Sequence, residues 1–466
     1  MITLKDLIAR NNIEKSAIIL LNNLIFDYRK AMVNNNGTYY QFGANILTNI
    51  RRISERLISG SYTFEPYVTK ILVRHKKSRL IYIATWRDKL VEKWLADGLA
   101  LLLDKYYTAD SYAYRPKKLG ISSCQRRLAS QIKSHRYVIK RDISQYFYTI
   151  PQDKMLEVLS QYVDKEDVLF SCLKQRIKSF KTNNGEVSLG LPFGSPLACV
   201  LANLYLHSVD LEMRQLPVIY MRYADDFIML AKEKPDAIFA KKTFDALIAN
   251  ASLTLKASHS LNLCFNDDTE FTKVDNVSFL GLSFDNKSNV RLGVEKQRKI
   301  LGLFKKCLKR YKNYINKSNR EERLRLVIQL VNDTALSRIR SAAIIDYYLQ
   351  HINDELQLKN LDMLIAQLVI STTLQKPFRN KDFNTIRYKQ LRKLGLISLL
   401  HRNRLLRQGH LRINFLNLFD AIRLKRIEDR KIAKRSKIAK LVMNRKSKRH
   451  ITPPTVSSAE DESKES

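Results

Sequence analysis

The chain has 466 residues, with 82 Lys and Arg against 45 Asp and Glu, a net charge of +37 and 45% hydrophobic content. That hydrophobic content over this length supports several packed subdomains and excludes disorder throughout, while such self-repulsion is tolerated most readily beside a polyanion, so nucleic acid is the expected partner. The five scattered cysteines form no CxxC pair, MITLKDLIARNN lacks a basic-then-apolar leader pattern, and no run of about 18 apolar residues occurs, so a reducing cytoplasm without a membrane partner is expected.

Residues 1–70 read mostly as amphipathic helix, with Leu4, Leu7, Ile8 and then Ile18, Leu21, Leu24 and Ile25 at helical spacing. VRHKKSRLIYI (73–83) alternates in its second half as a strand does and gathers Arg74, Lys76, Lys77 and Arg79 at a hairpin turn. Residues 84–135 are expected to be helical apart from a loop at Ser111–Gly120. YVIKRDISQYFYTI (137–150) sets Asp142 at the end of a short β-branched run, and a helical stretch is expected near 152–180. Gly190 and Gly194 bracket a turn where backbone must approach a ligand closely. In MRYADDFIML (221–230), apolar residues on both sides predict a β-hairpin with Asp225 and Asp226 at its tip.

Beyond the hairpin, 294–349 reads as helices with LRLVIQLVNDTAL at the centre, and 360–400 continues helical. From His401 to His450 there are 17 Lys and Arg against 3 Asp and Glu, interleaved with apolar residues at helical spacing. This basic amphipathic module suits an RNA backbone, with a solvated helix or a membrane surface as the other readings. The final segment, 451–466, is polar and acidic and is expected to be disordered.

Three carboxylates from two neighbouring strands, Asp142, Asp225 and Asp226, are what a two-magnesium site needs. Ions about 3.5–4 Å apart in such a site activate an attacking hydroxyl and neutralise a leaving pyrophosphate. Nucleotide polymerisation is the natural reaction for that arrangement.

In order and spacing, Asp142 with Phe147, GLPFGSPLACVLANLYL (190–206), YADD (223–226) and FLGLSF (279–284) resemble the successive palm motifs of reverse transcriptases. Upstream, Arg79 with IYIATWRDKLVEKWL and the segment SYAYRP (111–116) resemble bacterial group II intron-type enzymes. The altered GLPFGS motif, the lack of Cys/His metal pairs and the basic extension resemble the defence-associated and unknown-group reverse transcriptases most.

The resemblance implies an α+β right-hand polymerase. N-terminal helices and fingers would span 1–135, a palm 136–290 with its helical insertion near 152–180, and a helical thumb with following helices 291–400. A basic RNA-binding extension over 401–450 and a tail over 451–466 would complete the chain. It implies RNA-directed DNA polymerase activity with two Mg2+ ions, or Mn2+ in their place. The metals would be held by Asp142, Asp225, Asp226 and the carbonyl of Ile143. The incoming deoxynucleoside triphosphate would meet Arg79, Phe147, Phe193 and Gly194, with the Phe147 ring under the sugar excluding a 2′-hydroxyl. Arg74, Lys76, Lys77, Tyr223 and Ala224 would contact nucleic acid.

The expected partners are a structured non-coding RNA template and a DNA product, and the expected setting is antiphage defence. Group II intron, retron and diversity-generating enzymes are the alternatives, and an RNA-dependent RNA polymerase or a maturase-like RNA-binding protein with dispensable polymerisation are readings of another class. Two departures stand out. Phe193 occupies a position where many reverse transcriptases have glutamine, so it would act by packing. NDDTEF (266–271) falls where many relatives have a lysine that helps protonate pyrophosphate, leaving Lys273 as the substitute.

Overall fold

A computed structural model describes residues 1–16, 32–33, 37–38, 45–74, 77–116, 119–181, 188–336 and 343–410. The tail 451–466, residues 411–450 of the basic extension, the stretch 18–25 and Lys76 lie outside the described residues, as do the side chains of Arg74, Lys77 and Arg79.

The chain is α+β. Its centre is a five-stranded sheet with strands in the order Ile219–Tyr223, Asp226–Ala231, Tyr137–Asp142, Leu261–Cys264 and Thr272–Lys273; only the last pairing is parallel. A strand that is apolar at every position must be covered on both faces, and Phe227–Ala231 is buried throughout. Successive side chains leave a strand on opposite sides, and here each side meets a separate core. Ile139, Phe227, Met229 and Tyr220 enter a core built with the N-terminal helices, whereas Val138, Ile228, Leu230 and Met221 enter one built with the C-terminal helices.

The first core is organised around helix Trp86–Leu103, whose start is capped by Thr85, and helix Pro196–Tyr205, which begins with proline and is capped by Ser195. A loop was expected over 111–120, but the helix ends at Leu103 and the next begins at Ile121. Arg115 draws the longer loop together by donating to the carbonyls of Asp104, Thr108 and Ser111 at 2.9–3.1 Å, which satisfies backbone that would otherwise continue the helix. Among the described residues of 1–70, helix covers Leu4–Arg10, 13–16 and Ile46–Ile58, whereas 61–67 is irregular.

Strands Val68–Arg74 and Lys77–Ile83 form an antiparallel hairpin that puts Leu72 opposite Arg79. It is tied to the sheet region by Tyr82 N–H donating to the Phe193 carbonyl (3.0 Å) and Tyr148 hydroxyl donating to the Leu80 carbonyl (2.7 Å).

The second core carries helices Val294–Arg310, Arg320–Ala335, Ala343–Leu349, Glu355–Leu374 and Leu399–Arg407 under the small sheet Val277–Phe279, Leu282–Phe284, Val290–Leu292. The last helix crosses the boundary expected between 400 and 401. Asn403 is buried and donates to the carbonyls of Leu349 and Ile352, Arg402 grips Asp346, and Asp362 accepts from Ser398 and the Leu399 N–H at the helix start. Residues 401–407 therefore belong to the helical core and not to a separate basic module. Among the described residues no helix is long and apolar enough to cross a membrane.

Candidate active site

The site is assembled by strand register. Asp142 ends its strand directly opposite Asp226, which in turn faces Tyr223 across the hairpin. Asp226 is thus the first residue of the returning strand, and the tip is Ala224–Asp225, a correction to the expectation that both aspartates sit at the turn. A two-residue connection needs positive φ where it reverses direction, and Ala224 takes φ +59°. The small side chain of Ala224 limits the strain of that conformation.

The neighbouring carboxylates repel one another. Desolvation, followed by the charges of Asp225 and Asp142, pushes the Asp226 carboxyl up to about 6, with Lys140 and Lys256 opposing the rise. Asp226 keeps an exposed side chain, so the repulsion is the part of that shift a cation would relieve. Among the described residues no group of three or more His, Cys, Asp or Glu side chains is gathered closely enough to hold a metal ion by itself. Magnesium does not require one, because it keeps waters and is held through one or two carboxylates with substrate phosphates. The hard oxygen donors and their excess negative charge fit that ion. The Ile143 carbonyl follows immediately, in a segment bridged to Leu255.

Lys256 was missed in the sequence. Its N–H donates to the Asp142 carbonyl (2.8 Å) and its Nζ lies 3.7 Å from the Asp142 carboxylate. Lys273, the expected substitute lysine, is elsewhere. It pairs with Cys264 opposite Tyr137, at the far end of the central strand from Asp142, and is ion-paired to Asp267. Five residues of strand separate it from the carboxylates, about 17 Å at 3.3–3.4 Å per residue.

Phe147 is buried, its ring 5.4 Å from that of Phe193 in an edge-to-face contact, so the two aromatic candidates form one surface. Phe147 accepts from the Leu191 N–H (2.6 Å), which locks it to the glycine turn. Gly190 has φ +81°, and a Cβ there would stand 3.0 Å from the Tyr148 carbonyl oxygen; Gly194 has φ +114° and packs on the Tyr82 carbonyl. The hairpin strand carrying Arg79 is joined to this turn through Tyr82, which brings Phe193, Gly194 and that strand together.

A buried base lies beneath the aspartate hairpin. Arg222 and Asp210 are ion-paired and fully buried, and Asn203 and Ser111 complete the shell around the guanidinium. Burial works against the Arg222 charge, but Asp210 and its hydrogen bonds more than restore it and hold the group above its ordinary range. A signal for this was present in the sequence, an arginine inside an otherwise apolar strand beside the aspartates. Tyr114, at φ +57°, has its phenol pushed upward by burial and by the nearby Cys199 and Asp225.

Residues 70–284 match the family model described as reverse transcriptase (RNA-dependent DNA polymerase). Among curated proteins, the chain is 28% identical over 165 residues to an uncharacterised 91 kDa protein in a cob intron of Schizosaccharomyces pombe, covering 34% of this chain and 20% of that protein. It is 24% identical over 186 residues to the group II intron-encoded protein LtrA of Lactococcus lactis, covering 38% of this chain and 30% of that one. The chain thus matches less than a third of the length of either relative. Among solved structures, apo telomerase from Candida tropicalis aligns with 78% of this chain and 74% of its own at 12% identity and a TM-score of 0.41.

Proposed function

Since residues 70–284 of this chain are a reverse transcriptase domain, we propose that the protein is an RNA-directed DNA polymerase whose reaction centre is Asp142, Asp225 and Asp226. The observation that carries this reading is the register that sets Asp142 against Asp226 with Asp225 at the adjoining turn. In this reading the sheet is the palm, the hairpin 68–83 belongs to the fingers, and the helices from Val294 onward form the thumb.

Magnesium held by the three carboxylates and the Ile143 carbonyl would lower the pKa of the primer 3′-hydroxyl and neutralise the departing pyrophosphate. The chain's own residues do the rest. Asp142 and Asp226 fix the spacing of the negative charge through their shared backbone pairing, and Asp225 aims from the turn. Phe147, backed by Phe193, underlies the sugar and excludes a 2′-hydroxyl. Gly194 lets the backbone approach the triphosphate beside the strand that carries Arg79. Lys256, next to Asp142, takes the place assigned to Lys273 as the cation able to give a proton to the leaving group.

The test is Asp225→Ala and Asp142→Ala in a primer-extension assay with RNA binding measured in parallel. Each removes a carboxylate and leaves the basic surface intact, so synthesis should vanish while RNA affinity changes little. Synthesis at the wild-type rate in Asp225→Ala would reject the assignment. For the template, the finer proposal is a structured non-coding RNA copied in antiphage defence, supported by the altered GLPFGS turn and the +14 charge of 401–450. The intron-encoded relatives favour an intron RNA as the second reading. Sequencing the RNA and DNA that co-purify with the protein separates the two.

A further inference from the structure

A buried arginine has five N–H groups to satisfy, and Arg222 directs all of its nitrogens at fixed acceptors. Nε donates to Asp210 Oδ1 (2.6 Å), Nη1 to Asn203 Oδ1 (2.8 Å) and the Ala224 carbonyl (3.3 Å), and Nη2 to Ser111 Oγ (2.9 Å), the Asn203 carbonyl (3.3 Å) and the second Asp210 oxygen. These acceptors come from four places in the chain: the loop at 110–112, helix Pro196–Tyr205, helix His207–Met213 and the hairpin turn itself. The Arg222 backbone is held as well, its N–H donating to the Asp110 carbonyl (2.8 Å) and its carbonyl accepting from the Tyr112 N–H (2.9 Å). Asp210 in turn accepts from the Tyr220 hydroxyl (2.8 Å).

Burying an ion pair is an inefficient way to add stability, because desolvation of both charges offsets their attraction. A guanidinium that ends on the carbonyl of Ala224, next to Asp225, does something an apolar pair could not: it ties the turn to the two helices below. The geometry points to Arg222 as a positioning residue for catalysis, with Asp210 orienting its guanidinium so that the Ala224–Asp225 turn holds one conformation. This rests on the polymerase reading above and adds to it a residue pair that touches neither substrate nor metal.

Arg222→Lys keeps the charge and stem but replaces the planar fork with a single ammonium. Asp210→Asn keeps the shape and weakens the grip on the arginine. For both variants we would measure kcat and KM for deoxynucleotide, the Mg2+ concentration at half-maximal activity, Mn2+ binding by electron paramagnetic resonance without substrate, and the thermal melt. A displacement of about 1 Å at a reacting group costs on the order of 100-fold in rate. The expected result is a kcat lower by tens- to a hundred-fold, an unchanged KM, and a several-fold rise in both the Mg2+ midpoint and the Mn2+ dissociation constant, in protein that still melts cooperatively. A wild-type Mg2+ midpoint, Mn2+ affinity and kcat in folded Arg222→Lys would overturn the inference. So would losses in both variants that follow only the folded fraction, which indicate a purely structural pair. Failure of the polymerase reading has a different signature, namely wild-type protein that binds Mn2+ and extends no primer.

Discussion

Asp226 is desolvated and shares its corner with two other carboxylates. Its carboxyl lies at about 6 against an ordinary 3.8, so the folded protein holds this proton more tightly than the unfolded chain does. The sign follows: this contribution to stability is fully present below the unfolded value and is lost as pH rises through about 6. Asp226→Asn should therefore raise the Tm of the metal-free protein at neutral pH and change it little in acid, and saturating Mg2+ should shrink the gain by stabilising the wild type. An unchanged Tm difference across that range would remove the repulsion argument. Metal must displace the same proton, so at low Mg2+ the activity of the wild type should fall as pH drops through about 6, and more Mg2+ should move that limb to lower pH. Phe147 offers a second test. If Phe147 underlies the sugar as proposed, Phe147→Ala should admit ribonucleotides, read as the ratio of the two sugars incorporated by folded enzyme, at a cost of about 3–5 kcal/mol in stability for a buried ring. A wild type that already uses both sugars equally would reject the discriminator role.

The glycine turn shows how element geometry constrains residue choice. Gly190→Ala must adopt φ +81° with its Cβ 3.0 Å from the Tyr148 carbonyl oxygen. The left-handed conformation alone costs roughly 1–2 kcal/mol, and the clash would push Phe147 off the turn through its bond to Leu191. A lowered Tm with a larger loss in kcat than in RNA affinity is expected; wild-type kinetics would mean that the turn does not position the aromatic surface. These elements were legible in the sequence because each leaves a local signature: paired aspartates between apolar runs, glycines around a tight turn, and a β-branched run ending in aspartate. Lys256 and Asp210 were not, since their roles depend on contacts distant in sequence. Lys256 reaches Asp142 only because Leu255 bridges to Ile143, and Asp210 sits on a short helix whose buried face also carries His207 and Val209, so nothing nearby shows its distant partner Arg222. Register is likewise invisible in motif order, and it places Lys273 beside Cys264 and Tyr137, at the far end of the strand from Asp142.

At the scale of the whole molecule, the central sheet separates two hydrophobic cores, and the edge that carries Asp142 and Asp226 lies where both contribute side chains. Fold class was readable from the resemblance carried by the successive motifs, but the boundary of the basic extension was not. Composition changes at His401 because Arg402, Arg404 and Arg407 begin the cationic run, yet Asn403 and Leu406 face inward and Arg402 and Arg404 are neutralised by Asp346 and Glu355. Charge counts do not distinguish a paired arginine from one available to phosphate.

That distinction decides how the proposed RNA-binding role of the extension must be tested. Cutting after Leu400 would remove Asn403, whose amide donates to the Leu349 and Ile352 carbonyls, together with the Arg402 fork on Asp346 and the buried Leu406, so the truncated protein should melt at a lower temperature than the full-length chain. Any loss of RNA binding in it would be ambiguous. Cutting after His410 spares those contacts and removes 14 of the 17 cationic residues of 401–450. That protein should melt like the full-length chain, bind RNA more weakly and show a shallower salt dependence, because each phosphate neutralised contributes roughly 0.7–0.9 to the slope of log K against log salt. Sequence preference should shift less than affinity, since backbone contacts position the strand without reading bases. Equal slopes for the two proteins in a salt titration would place the RNA grip elsewhere, and loss of liposome binding with RNA affinity intact would assign the extension to a membrane surface instead.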